Sequence, residues 1–362
     1  MASQAASLQA ESVLPIKVSS PILFSLYGVI PVCLFLFLLD ITVLEGKLVG
    51  AFLPVTPGEW AFWAIVFNFP HIVSSLMTLI DKEYWSFYKT KLIKAFVGFS
   101  AFVLTITYLV PALASPLINT VVQALFFTFF ATYTMHHVLS QQFGIGMMMM
   151  RVTQTRRYEL WRVTATIATT CLYFLVFARD PLAKIVISGI AAADILKVAS
   201  LVMVIVSTGI AATLISQSKR QLGTLYCLAN VLMLWVTWGF MMMDYTVFVI
   251  LIPRFIHDLT AFIIYSTHDR NRNLTDKPNL LYRYMQWLPL SPLILCPLLA
   301  IAIANGIEQS TQWVDSQLSV AGLPPFLQIS VQIIFIASFM HYYIESFVWK
   351  RESIHRHHVG FT

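Results

Sequence analysis

Ten apolar runs, each longer than 20 residues, dominate this chain. They lie at 21–44, 58–80, 92–114, 117–143, 158–178, 194–216, 221–243, 246–268, 283–305 and 324–349. Each is long enough to cross a hydrocarbon core of about 30 Å as a helix. Inside lipid every backbone N–H and C=O must find a partner in the protein, which leaves only helices and closed barrels. Barrel strands alternate polar and apolar residues, and these runs do not. The expected fold is therefore an all-α polytopic membrane protein, a bundle of about ten transmembrane helices. Composition agrees: 58% of residues are hydrophobic and 11% charged, against about 25% charged in a soluble domain.

The breaks between runs carry turn formers: Pro54 and Pro57, Pro111 and Pro116, Pro181, the polar stretch Asp269–Pro278, and Gly322 with Pro324 and Pro325. No internal repeat is evident, and no span is clearly interrupted at its middle by Gly or Pro. Residues 1–20 lack the basic start of a signal peptide and read as an N-terminal tail. Residues 21–350 form the transmembrane domain, and 351–362 a His-rich tail.

Basic residues alternate between loops. Lys82, Lys89 and Lys91 follow the second span, and Arg151, Arg156 and Arg157 the fourth. Lys219 and Arg220 follow the sixth, Arg270, Arg272, Lys277 and Arg283 the eighth, and Lys350, Arg351 and Arg356 the tenth. The other loops are short or carry Glu45, Glu59, Asp244, Glu308 and Asp315, although 179–193 holds Arg179 and Lys184. The positive-inside rule then puts both termini in the cytoplasm and requires an even number of spans. A multi-pass protein of a bacterial inner membrane is expected. The net charge of +6 belongs to these loops and implies no nucleic-acid partner. Cys33, Cys171, Cys227 and Cys296 all fall in apolar spans without CxxC spacing and read as small buried hydrophobes.

Against that topology the histidines are not scattered. His71 lies in the second span, His136 and His137 in the fourth, His257 and His268 in the eighth, and His341 in the tenth. All four spans run toward the expected cytoplasmic side, so these histidines share one half of the membrane. Ionisable groups in a bilayer are costly and are functional candidates by default. His341 and Glu345 are four apart and share a helix face. His257 and His268 face the same way but lie about 16 Å apart along the axis, too far to share one ion. Each is followed by an acid, Asp258 and Asp269. Arg254 and Asp258 are spaced to pair. Asn68, three residues before His71, is placed to orient its ring, and His137–Gln141 repeats the four-residue spacing.

Imidazole with carboxylate is a donor set for iron, manganese, zinc or copper, and bundle cores often build such sites from facing helices. The expected ligands are His71, His136, His137, His257, His341 and Glu345. Asp258, His268, Gln141, Asn68, His355, His357 and His358 are additional ligands or supporting groups. The tail stretch His355–His358 reads equally as a fold-back segment or a solvated basic end. Met147–Met150 and Met241–Met243 offer thioethers suited to copper, but packing is the simpler role. The chain has no HExxH, no glycine-rich phosphate loop, no Rossmann fingerprint and no CxxCH.

Histidines gathered near one membrane face resemble the membrane di-iron enzymes, that is, desaturases, hydroxylases and alkane monooxygenases. Isolated histidines on several helices also resemble bacterial membrane carotene-cleaving dioxygenases, where they hold iron. The desaturase boxes HxxxH and HxxHH are absent, and His355-Arg356-His357-His358 echoes only the last of them. The resemblance implies a non-haem iron oxidoreductase, with one iron or a di-iron centre. The substrate would be hydrophobic or lipid-like, met at the cytoplasmic leaflet, with an acidic electron-donor protein as partner. Copper, zinc and haem are the alternative cofactors. A proton or metal-ion transporter, or a haem electron-transfer protein, is the alternative function.

Overall fold

The computed structural model describes residues 15–48, 53–275, 279–320, 329–350 and 352–362. Most of the expected N-terminal tail, Lys277 and Pro278, the Gly322–Pro324–Pro325 turn and Arg351 lie outside the described residues.

Nine described helices are long and apolar enough to cross a membrane. They are α1 (Ser20–Thr42), α4 (Lys82–Leu113), α5 (Pro116–Met150), α6 (Arg156–Phe177), α7 (Ala192–Ile215), α8 (Gln221–Met242), α9 (Thr246–Arg272), α10 (Pro292–Val320) and α11 (Ile329–Val348). The chain is an all-α polytopic membrane protein. Large apolar side chains such as Phe35, Phe62, Leu117 and Leu125 stand on its outside, where lipid rather than water meets them.

The expected second span, 58–80, is not one helix. It is two short pieces, α2 (Ala61–Val66) and α3 (Phe69–Met77). They are separated at Phe67–Asn68, where Asn68 has a φ of 65°. Pro70 at the start of α3 has no N–H to join a helix running through the break. The freed groups are satisfied internally, as lipid requires: Asn305 Nδ2 donates to Ile65 O at 2.9 Å, and Asn68 N–H donates to Asp258 Oδ2 at 2.8 Å. The expectation of unbroken spans fails here because the break is made by an asparagine with its turn stabilised from another helix.

Other boundaries shift as well. Lys82, Lys89 and Lys91, expected in a loop, lie on the first turns of α4. Asp81 caps that helix by accepting from Glu83 N and Tyr84 N. The α4 N-terminus is tied to α9 by the Arg272 guanidinium, which meets Asp81 and Glu83, each at 2.8 Å.

Two-residue strands near the two ends of the chain, β1 (Lys17–Val18) and β4 (Gly360–Phe361), pair in parallel. A small hairpin, β2 (Val186–Ile187) with β3 (Ile190–Ala191), closes the α6–α7 connection. Because β1 and β4 touch, the first and last helices start and finish on the same face of the bundle. Nine passes cannot do that; α2 and α3 together supply the tenth.

Helix α9 is the most buried of the nine. It packs against α3, α5, α8 and α10, while α11 packs against α3, α4, α5 and α10. Helices α3 and α5 therefore each pack against both α9 and α11, and the four form a ring around one interior point.

Candidate metal centre

Each of those four helices delivers one histidine to that point. His71 on α3, His257 on α9 and His341 on α11 are fully buried, and His137 on α5 nearly so. Ring centroids of His71 and His341 are 5.0 Å apart, His71 and His257 5.1 Å, His137 and His257 5.0 Å, and His137 and His341 4.7 Å. Glu345, one turn after His341, joins them, its carboxylate 3.6 Å from His137 Nε2. Two groups of donor atoms are close enough to hold a metal ion: His71, His257 and His341, and His137, His341 and Glu345. His341 belongs to both.

Hydrogen bonding sets which nitrogen the His341 ring presents. Ser75, one turn after His71, donates its hydroxyl proton to Ile72 O at 2.6 Å. That oxygen can then only accept from His341 Nδ1, 2.7 Å away. His341 therefore carries its proton on Nδ1 and a lone pair on Nε2. His71 Nδ1 lies 3.2 Å from Asp258 Oδ1, close but outside hydrogen-bond geometry. The Nε2 atoms of His71, His137, His257 and His341 are all buried without a hydrogen-bond partner. Leaving such a group unsatisfied costs about 1–3 kcal/mol, and several facing one point are a poor design for anything but a ligand. Supporting carboxylate or hydroxyl contacts on the far ring nitrogen are the usual companions of metal-binding imidazoles. The donor set thus fits a metal ion.

Of the supporting residues, Asp258 backs His71 rather than joining the donor groups. It also takes the Asn68 backbone N–H and lies 3.7 Å from Arg254. Asn68 does not orient His71 through its side chain, as its spacing suggested: that side chain accepts from Arg254, and its influence reaches His71 through Asp258. Gln141 hydrogen bonds to Glu345, as does Trp349. Tyr265 donates to Glu345, and the Tyr342 ring lies 4.4 Å from that of His137. Ser75, Tyr265 and Tyr342 were not singled out from sequence. Ser75 and Tyr265 do carry a signal, at four residues from His71 and eight from His257, on the same faces.

The structure does not bring His136 to the centre. It is only half-buried and lies near Arg162 and Glu159 of α6. Adjacent helix residues point about 100° apart, so His136 and His137 cannot serve one point. His268 is also separate, as its distance from His257 implied. Its Nδ1 meets Asp269 Oδ1 at 2.8 Å and its Nε2 meets the Tyr84 hydroxyl at 3.0 Å, so both nitrogens are occupied. Asp269 is held in turn by the Tyr282 hydroxyl at 2.7 Å.

The tail folds back onto His268. His355 is fully buried, its ring 4.9 Å from that of His268 and 3.9 Å from that of Tyr84. His358 lies 5.7 Å from His268, and His357 is exposed. None of these three belongs to the donor groups around His341. Met147, Met149 and Met150 are part of the main apolar core, which is the packing role.

No protein-family model matches the chain, and no curated protein or solved structure is significantly similar to it.

Proposed function

We propose that this protein is a membrane-embedded metalloenzyme, a non-haem iron oxidoreductase acting on a hydrophobic substrate in a bacterial inner membrane. One observation carries the reading: four buried imidazoles from four helices converge with unpartnered Nε2 atoms, and His341 is held in the tautomer that presents a lone pair. His71, His137, His257, His341 and Glu345 are the ligands. Nitrogen and carboxylate donors without thiolate suit iron, manganese or zinc. Iron, when bound, supplies one-electron and O2 chemistry that side chains lack.

The chain's own groups have distinct tasks. Asp258 and Ser75 hold the His71 and His341 rings in place. Tyr265 keeps an O–H directed at Glu345 and so stores a proton next to the ligand set. The apolar packing of α3, α5, α9 and α11 excludes water and leaves lipid as the natural source of substrate.

Metal analysis of detergent-purified protein tests this reading. One or two irons per chain are expected, with no Soret band. His341→Ala removes a donor from both groups and should abolish stoichiometric metal, and His137→Ala should lose at least part of it. Full metal content in both variants would overturn the assignment.

The break at Asn68 favours a second reading, ion transport, because discontinuous helices often line transport sites. Proton or metal flux in proteoliposomes, lost on Asp258→Asn, would support it over the enzyme.

A further inference from the structure

A chamber of about 420 Å³ adjoins the histidine cluster, within the roughly 300–1,000 Å³ range of ligand pockets. Three of its lining residues touch the cluster or the groups that support it. Asn68 donates its backbone N–H to Asp258, Arg254 lies 3.7 Å from the same carboxylate, and the Tyr342 ring lies 4.4 Å from that of His137. Tyr342 thus borders both the chamber and His137, while Asn68 and Arg254 connect to His71 only through Asp258.

The rest of the lining is mostly apolar, with two charged residues, Arg254 and Glu308. Arg254 is 12% exposed, and its fork of five N–H donors is only partly used by Asn68 and Asp258. The chamber lining includes Phe177, which is 44% exposed. Phe177 ends α6, and Thr56, also in the lining, precedes α2. Both lie on the bundle face opposite the paired strands β1 and β4.

A second hollow, of about 590 Å³, lies nearer the β1–β4 face. Trp85, Ile93 and Phe96 line it and are 44–55% exposed, as expected of a groove filled by lipid. It is larger but does not include Arg254, Asn68 or Tyr342.

We propose that the Arg254 chamber binds one apolar chain bearing a carboxylate end. The carboxylate would sit on the Arg254 guanidinium, and the molecule would enter from the face opposite the tail. This differs from the expectation that the substrate is met at the cytoplasmic leaflet. It deepens the metalloenzyme reading by naming the substrate class, although binding itself does not require the metal. Guanidinium and carboxylate match in geometry and charge, and the apolar walls take the chain.

Binding of a fluorescent polyene fatty acid, and of the corresponding polyene alcohol, to the detergent-purified protein tests the proposal. Metal content is measured on the same samples. The acid should bind at one per chain, at least about tenfold tighter than the alcohol, and Arg254→Met should remove that preference. Thr237→Trp and Ser338→Phe each place a ring in the chamber, and both should abolish binding. Ile93→Trp, in the lipid groove, should leave binding unchanged. Equal affinity for acid and alcohol, binding that survives both chamber-filling variants, or loss only in Ile93→Trp would overturn the proposal. Acid binding without stoichiometric metal would leave the chamber standing and remove the metalloenzyme reading. Metal without acid binding would do the reverse.

Discussion

At the scale of single residues, the decisive group is a serine that no motif marks. Ser75 gives its proton to Ile72 O and so forces His341 to donate from Nδ1. Loss of such a supporting contact typically costs about 10–100-fold in metal affinity. Ser75→Ala should therefore weaken metal binding by about that factor, measured by competition with a chromophoric chelator, while the fold persists. Ser75→Thr keeps the hydroxyl and should restore most of the affinity. Unchanged affinity in Ser75→Ala would mean that the His341 ring is fixed by packing alone. The histidine set was legible in the sequence because imidazole in an apolar span is conspicuous. His341 with Glu345 was legible from spacing. The choice between His136 and His137 was not, because sequence shows that two rings are adjacent but not which side of α5 faces α9. The roles of Asn68 and Ser75 depend on contacts between helices, which spacing within one helix cannot reveal.

At the scale of elements, apolar runs locate helices well and their interruptions poorly. The 58–80 run stays apolar through its break because the freed backbone groups are satisfied by Asn305 and Asp258 from distant helices. The Asn68 φ of 65° is sparsely populated for a side-chain-bearing residue, and such conformations cost about 1–3 kcal/mol and cluster at functional sites. Here the break turns the chain so that α3 enters beside α9 with His71 facing His257. Close helix approach is equally invisible to hydropathy. At Gly223, on the first turn of α8, an added Cβ would lie 2.3 Å from Met150 N and 2.4 Å from Met149 C. Both are backbone atoms at the end of α5 and cannot rotate away. Small residues permit this kind of approach in membrane bundles. Gly223→Ala should destabilise the protein by at least about 1–3 kcal/mol, the usual cost of overpacking, seen as a lower thermal unfolding midpoint in detergent. Gly209→Ala, where nothing lies within 4 Å of the added atom, is the matched control and should keep or raise the midpoint, because alanine favours a helix interior over glycine.

At the scale of the whole molecule, the two ends of the chain are fastened together over the α9 terminus. Asn271 performs much of this: its Nδ2 donates to Ile16 O and His358 O, and its Oδ1 accepts from Ile16 N. The tail also buries His355 and half-buries His358 against His268, Arg272 and Tyr84. Burial pushes the proton affinity of both tail histidines down, and the neighbouring His268 and Arg272 add to it, taking His358 to about 4 while Glu83 opposes. A free tail histidine titrates near about 6.5. Below that pH the released tail binds more protons than the docked one, so docking weakens as pH falls. The loss should begin at about pH 6.5, the His358 share should be complete at about 4, and docking should be intact at neutral pH. The four native cysteines are buried, so a nitroxide label on Glu352→Cys, at an exposed site, would report the tail selectively. Its spectrum should be immobilised at pH 7.5, mobile at pH 5 and reversible between them. Combining the label with His355→Phe and His358→Gln should flatten that pH dependence, because neither replacement can take up a proton. A label equally immobile at both pH values would mean that Asn271 and the β1–β4 pairing hold the tail whatever the charge of its histidines.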